Sequence, residues 1–322
     1  MSAAGGGTGT DTGATTAAGA AAATGAGASV RVRVPASSAN LGPGFDVLAV
    51  AIDLTLQVTA VPYDGRRIVA SGEGADDVEV GDTNLVWRAV TTFCAVHDVA
   101  VPDVTLRCDN RIPLERGLGS SAAAAVAGLA LARRLTGVRV GNHELINHAT
   151  ALEGHPDNAA AAVLGGLVVA GGGPARRFEP SRSLRPIVCI PSERSSTATA
   201  RGLVPHDVPL QTMVHTARGT TLVLAGLAGM AAWDPTVMRD TVHEPPRLAT
   251  MAGSRRLVDA VRGDGLAACL SGAGPSVLVV VAADDRVAVE RVAALAGDGW
   301  RVAGVAWDRA GARIDDPVNA TS

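Results

Sequence analysis

Between Pro113 and Ala125 the chain reads PLERGLGSSAAAA. Two glycines one residue apart, Gly117 and Gly119, stand directly ahead of Ser120, Ser121 and a run of alanines. This order suits anion binding. The first N–H groups of a helix have no partner inside it, and the helix dipole places partial positive charge at the same end. Glycines let backbone amides approach an anion with no Cβ in the way. The two serine hydroxyls can reach a phosphate or a hard metal ion. The same letters also suit a glycine turn followed by an ordinary serine-capped helix, and a motif this short does not decide between the two.

Two more glycine-rich stretches occur. PASSANLGPGFDVLAVAIDL (35–54) follows the first strand-like run, and LSGAGPSV (270–277) lies between two others. Composition removes some competing chemistries. All 28 cationic residues are arginine and there is no lysine, so a Walker P-loop and a Schiff-base enzyme are both excluded. A net charge of −3 with 2% aromatic residues argues against a nucleic-acid binder, which needs a basic field or a stacking platform. Cys94, Cys108, Cys189 and Cys269 are widely spaced with no CxxC pair, which argues against a metal cluster and a disulfide framework. Buried thiols in a reducing compartment fit better, and with no targeting segment the expectation is a cytoplasmic protein.

The elements that must position these loops can be read from periodicity. At 322 residues and 47% hydrophobic content the chain suits two domains with a core of Val, Leu and Ala. Residues 1–29 are nearly all Gly, Ala and Thr and are expected to be a disordered tail. Val30, Val32 and Val34 alternate with Arg31 and Arg33 in a half-buried strand that Pro35 is expected to close. Strands are predicted over 47–62, in IVASGEG and in DVTLRCDN. Helices are predicted over 84–99, 120–135, 142–153 and 156–166, and GLVVAGG follows as a strand. Beyond Arg185 come a strand in PIVCIPS, a short helix over 195–204, and helices over 220–233 and 246–263. AACLSG and SVLVVVA are strands, DRVAVERVAALAGDG a helix and WRVAGVAWD a last strand. Strands and helices do not alternate regularly, which points to an α+β arrangement in two layers and not to a doubly wound sheet.

Three glycine loops in this order and spacing resemble the signature motifs of the GHMP kinases, the small-molecule kinases named for galactose, homoserine, mevalonate and phosphomevalonate. Within them, SSANLGPGFD (37–46), EGHPDN (153–158), STATAR (196–201) and DTVHEPPR (240–247) are most similar to the homoserine kinases. The resemblance spans nearly the whole chain after residue 29. It implies an N-terminal ATP-binding domain (30–180) with the ribosomal-protein-S5-domain-2-like fold, a ferredoxin-like C-terminal domain (181–316), and an active site in the cleft between them. ATP and Mg²⁺ would be required, L-homoserine would be the acceptor, and O-phospho-L-homoserine, on the way to threonine, the product. Homodimers are common in that family.

The resemblance also assigns residues. Pro113, Leu114, Glu115, Arg116, Gly117, Leu118, Gly119, Ser120, Ser121, Ala122 and Ala123 would bind ATP, with Gly272, Ala273 and Gly274 as a third phosphate loop. Asn84 would contact adenine, although an N-cap for the following helix explains it equally well. Ser121 and Glu153 would hold Mg²⁺. Arg201 and Arg247 would take the substrate carboxylate, Asn40 and Asp46 its amino and hydroxyl end, with His155 beside them. Asn158 stands where mevalonate-type relatives carry a catalytic Asp; it would act with Glu153 and Ser121, orienting the hydroxyl without serving as a base. One departure concerns 197–199, where the family commonly has Lys and this chain has Thr197, Ala198 and Thr199. The alternatives are a kinase for another small alcohol and a non-catalytic nucleotide-binding protein.

Overall fold

A computed structural model describes residues 29–195 and 197–315. Apart from Ser29, the expected tail lies outside the described residues. The chain opens with β1 (Val30–Ala39), β2 (Leu48–Pro62) and β3 (Ile68–Gly72). Then follow α1 (Leu85–Val96), β4 (Val104–Asn110), α2 (Ser120–Thr136), α3 (Asn142–Glu153) and α4 (Asp157–Leu164). The short strands β5 (Leu167–Val169) and β6 (Arg176–Phe178) complete this half. The second half runs β7 (Leu184–Pro191), α5 (Thr197–Gly202), α6 (Leu210–Leu227), a 3₁₀ turn (Pro235–Met238), α7 (Glu244–Thr250) and α8 (Ala252–Gly263). It ends with β8 (Ala267–Leu270), β9 (Val277–Ala282), α9 (Ala288–Ala296), β10 (Trp300–Gly304) and β11 (Arg313–Asp315).

Among the described residues these strands form two sheets, and the fold is α+β. The first has the order β11-β1-β2-β4-β3, with β5 on β2 and β6 on β5. The β3–β4 pair is parallel and the other pairs are antiparallel. The second sheet is antiparallel with the order β10-β7-β9-β8. That is the strand order of a split βαβ unit of the ferredoxin-like kind. Strand β11 crosses back to pair with β1, Val32 opposite Ile314, so the end of the described chain closes the first sheet.

The core is built from small apolar residues, as the low aromatic content requires. Ala122 to Ala132 on α2 are largely buried, and a Cβ on Gly128 would sit 2.2 Å from the Val86 carbonyl oxygen. Small residues here let α1 and α2 approach closely. Phe93 is the bulkiest fully buried side chain. A second cluster packs Leu257, Val258 and Val261 of α8 and Val292 of α9 against Ile187, Val277 and Val279. Each such side chain contributes about 1.5–3 kcal/mol on burial. All four cysteines are free and buried. No helix among the described residues is long and apolar enough to cross a membrane.

Several expected boundaries shift. Pro35 does not end β1; the strand continues to Ala39 through a register shift between Pro35 and Ala36, which accommodates the missing N–H. Helix α6 begins at Leu210, ten residues before the apolar run; its first half is mostly exposed, so no apolar stripe marks it in the sequence. The helix expected over 246–263 is two helices broken at Met251, whose φ and ψ of −122° and 73° are not helical. Strands β6 and β11, three residues each, have no local signal.

Candidate active site

The Gly117–Gly119 turn leads from β4 into α2, with Glu115, Gly117 and Gly119 all at positive φ. Its glycines are locked by what surrounds them. A Cβ on Gly117 would lie 2.1 Å from the Ser271 carbonyl oxygen, and one on Gly119 2.1 Å from Ser37 Oγ. The three glycine loops are in direct contact. Ser37 N–H donates to the Leu118 carbonyl at 3.1 Å, and Gly272 N–H to the Ala39 carbonyl at 3.1 Å. Ser271 Oγ lies 2.7 Å from the Gly117 carbonyl oxygen and 2.8 Å from Ser38 Oγ. Asn40 Nδ2 donates to the Gly272 carbonyl at 2.7 Å, and Asn40 Oδ1 accepts from Asp46 N–H at 3.1 Å. The serines and the asparagine thus fasten loops that are far apart in the chain. Ser37 and Ser38 lie inside the quoted motif, yet their fastening role has no sequence signal.

A cavity of about 290 Å³ opens at this junction. It is lined by the whole 115–122 turn together with Glu153, His155, Asn158, Gly272 and Ala273. Ser121 Oγ donates to Glu153 Oε1 at 2.6 Å, which brings together the two residues expected to hold Mg²⁺. Burial raises the Glu153 pKa, against the lowering effects of the Ser121 hydrogen bond and of His155. Two hard oxygens side by side, one on a carboxylate whose charge is incompletely compensated, fit a small divalent cation. Asp157 is buried; its Oδ1 lies 3.0 Å from His155 Nδ1 and accepts from Asn158 N–H at 2.8 Å. The hydrogen bond to Asp157 is the largest cause of a raised His155 pKa, with burial opposing it. Asn158 Oδ1 accepts from Ser37 Oγ at 2.8 Å, so what this side chain offers the cavity is its NH₂ donor.

A second cavity of about 350 Å³ adjoins the first through Glu115, Ser120 and Ser121. Its floor is apolar: Leu56, Ile68, Ala70, Cys108, Leu114 and Ala124. Burial pushes the Cys108 thiol up to about 12, so it stays neutral there. Asn84 lines this cavity but spends its amide on the chain: Oδ1 accepts from Val86 N–H at 2.9 Å and Nδ2 donates to the Glu79 carbonyl at 2.7 Å. The N-cap explanation accounts for both bonds. Arg116 likewise gives its guanidinium to the carbonyls of Leu114, Pro191 and Ser192, bracing the turn against the end of β7.

The charged residues of the expected acceptor site converge on Phe45. The guanidinium carbons of Arg201 and Arg247 stand 5.7 and 5.3 Å from its ring centre. Arg201 forms a two-pronged pair with Asp46, at 2.8 and 2.9 Å. Arg247 is buried; Nε donates to the Ala200 carbonyl at 3.1 Å, and Nη1 reaches His243 Nδ1 at 3.0 Å and the Gly272 carbonyl at 3.3 Å. Burial, and then the charge of Arg201, lower its pKa. His243 Nε2 donates to the Gly42 carbonyl at 2.8 Å and the ring stacks on Phe45, so its Nδ1 is the acceptor that positions Arg247. Asp240 Oδ2 accepts from the N–H groups of Val242, His243 and Glu244 and fixes the start of α7. His243 was not singled out in the sequence, although it sits inside the quoted DTVHEPPR.

Comparisons with known proteins identify the family. Residues 84–166 match the model of the GHMP kinases N terminal domain. A homoserine kinase of Streptomyces coelicolor is 39% identical over 288 residues, 87% of this chain and 92% of the relative. A homoserine kinase of a Mycobacterium species is 41% identical over 265 residues, 76% of this chain and 82% of the relative. The chain belongs to the homoserine kinase family of the GHMP kinases. The crystal structure of homoserine kinase from Cytophaga hutchinsonii, 22% identical, superposes with a TM-score of 0.77 over 89% of this chain and 97% of that one, and a mevalonate kinase structure, 14% identical, with 0.62 over 87% and 99%. Those two likenesses concern the two-domain fold. The family supplies the class of reaction, and the contacts above supply the candidate residues.

Proposed function

We propose that the protein transfers the γ-phosphoryl group of ATP to the side-chain hydroxyl of L-homoserine, releasing ADP and O-phospho-L-homoserine. The observation that carries the reading is that Gly272 belongs to both halves of the site. Its carbonyl accepts from Asn40 and Arg247 on the acceptor side, while the residue itself lines the anion cavity with Gly117–Ser121. An anion cradle and a zwitterion-sized charged cluster thus share one wall.

In this reading the adenine lies in the apolar cavity over Ile68 and Cys108, and the phosphates lie at the N-terminus of α2 and along 272–274. Ser121 and Glu153 would hold Mg²⁺, which when bound neutralises charge on the phosphates. Arg201 and Arg247 take the substrate carboxylate. Binding would draw Arg201 from Asp46 to the substrate, and the freed Asp46 carboxylate then faces the ammonium group. Asn158 donates its N–H to the acceptor hydroxyl oxygen and points it at the γ-phosphorus. An amide takes no proton, so positioning and charge stabilisation carry the reaction, as a loose phosphoryl transition state permits. We assign 30–180 to the nucleotide side and 181–316 to the second unit, with β11 returning to the first sheet, and place the protein in the cytoplasm, as a homodimer.

The test is ADP release with ATP and Mg²⁺, offering L-homoserine, L-serine, L-threonine, mevalonate and galactose in parallel. The expected kcat/KM for L-homoserine exceeds every other by about 100-fold or more. Higher efficiency on mevalonate or galactose would overturn the substrate. Asn158→Ala is expected to lower kcat by about 10-fold or more, and a change within about twofold would remove its orienting role.

A further inference from the structure

Away from the cleft, one cluster of metal-ligating side chains has no task in the reaction. His97 caps the end of α1, and Glu144 and His148 lie one turn apart on α3. Their four-residue spacing puts both on one face of that helix. His97 Nε2 and His148 Nε2 each lie 3.9 Å from the same Glu144 oxygen, Oε1. The three ligand atoms are all within 4.8 Å of one another. The two imidazole rings meet edge to face at 5.3 Å, and both pack on Phe93.

Two features set this apart from an ordinary ion pair. A separation of 3.9 Å is too long for a hydrogen bond, and both Nε2 atoms are buried with no hydrogen-bond partner among the described residues. Buried ring nitrogens ordinarily have one. A tetrahedral zinc ion with its ligands at about 2.1 Å separates them by about 3.4 Å. The remaining half ångström or so to Glu144 can be closed by rotating that side chain, which is 49% exposed, and the two imidazole nitrogens, within 4.8 Å of each other, must also turn toward the ion.

We infer that His97, Glu144 and His148 form a second divalent-metal site, separate from Ser121 and Glu153, that takes Zn²⁺ or an ion of that class with water as its fourth ligand. Two imidazoles and one carboxylate are a borderline ligand set, unlike the all-oxygen set that suits Mg²⁺. The cysteine spacing gave no hint of it, because the ligands come from two helices and include no thiol. The ion would clamp the end of α1 to the start of α3. The opposite ends of these helices carry Asn84 and Glu153, on either side of the nucleotide cavities.

The test uses the full-length protein stripped by a chelator and titrated with Zn²⁺ in the presence of excess Mg²⁺. Calorimetry is expected to show one equivalent bound, and saturating Zn²⁺ to raise Tm by about 3 °C or more. Co²⁺ in its place is expected to give the visible absorption of a tetrahedral site. His97→Ala and His148→Ala are expected to abolish binding, Glu144→Gln to weaken it by about tenfold or more, and Glu153→Gln to leave it unchanged. Absence of binding, binding that survives both histidine changes, or binding lost with Glu153→Gln would each overturn the site. Should the histidine variants fail to fold, the half-exposed Glu144→Gln decides alone, and unchanged affinity there would overturn it. Every readout is metal binding or stability, so the result is independent of the kinase activity.

Discussion

The two sides of the cleft are built in opposite ways. The anion side is backbone: a turn with alternate residues at positive φ, two glycines pressed against neighbouring loops, and serines tying those loops together. The acceptor side is charge: Asp46, Arg201, Arg247 and His243, drawn from the first loop, α5 and α7. Backbone makes a rigid receptor for a ligand that every turnover shares. Paired charges make one that can exchange partners, since Arg201 holds a carboxylate of the protein where it would hold one of the substrate. The first kind should fail through sterics, the second through loss of affinity.

The largest expected effect is therefore a single methyl group on the anion side. Gly117→Ala places a Cβ 2.1 Å from a backbone oxygen at φ +69°, and that oxygen belongs to the third loop, which cannot move alone. A fall in kcat of about 100-fold or more is expected, with about 2 kcal/mol or more of lost stability. The contrast is Gly137, at the other end of α2, also at positive φ but with nothing within 4 Å. Gly137→Ala should cost about 1 kcal/mol in thermal or denaturant unfolding and leave kcat unchanged. Equal effects at the two glycines would mean that conformation alone, and not the packing of the loops, matters at 117.

On the acceptor side Arg247→Lys comes next. Lysine keeps the charge but cannot serve Ala200 and His243 while presenting a flat pair of donors. The KM for L-homoserine should rise about 100-fold, with the KM for ATP within about threefold; a comparable rise for ATP would show that the two sides are not separable. Asp46→Asn sharpens the point with a change of sign. L-homoserine loses its ammonium partner and should bind about tenfold more weakly. An analogue lacking the ammonium, 4-hydroxybutanoate, should bind about twofold to fivefold more tightly, because Arg201 no longer has a competing carboxylate. The gain is small because Asp46 and Arg201 are both well exposed, at 34% and 43%, where an ion pair is worth ~1 kcal/mol or less. Weaker binding of both ligands would remove the exchange of partners.

The same contrast separates what the sequence makes legible from what it does not. The anion loops were legible because glycine, serine and the alanine run are consecutive, and the chemistry of a helix N-terminus is local. The two sheets were legible for the same reason, through alternation in β1 and apolar runs in β8 and β9. What failed was long-range. Strand β1 runs on past Pro35 because β2 absorbs a register shift there. Strand β11 exists only because β1 offers an edge. Residues 246–263 kept a helical pattern across Met251, yet the chain breaks there, between the helix bearing Arg247 and the one packed on the second sheet. On the acceptor side the motifs named Asp46, Arg201 and Arg247, but not that Asp46 and Arg201 hold each other, nor that His243 aims Arg247. The Asp46–Arg201 pair spans 155 residues and leaves no mark in composition or period. His243 and Arg247 are four apart, one turn of α7, and what the sequence lacks there is the Gly42 carbonyl that fixes the ring.

Asn84 is where the two ways of reading part most narrowly, and it carries the smallest expected effect. Position in a matched segment makes it an adenine contact; its hydrogen bonds make it the N-cap of α1, with both ends of the amide already used on Val86 and Glu79. Removing the side chain leaves the Val86 N–H and the Glu79 carbonyl without their partner at a position only 9% exposed. Asn84→Ala should then lower the unfolding free energy by ~1 kcal/mol, the usual cost of a lost cap, and leave the KM for ATP within about twofold. Asn84→Asp keeps an acceptor for Val86 but not a donor for Glu79, and should recover roughly half the loss. Adenine contact predicts the reverse order: full stability with Ala, and a KM for ATP raised about tenfold by either change. Denaturant unfolding and ATP titration on the same two proteins separate the outcomes, because a cap acts on the fold before any nucleotide arrives.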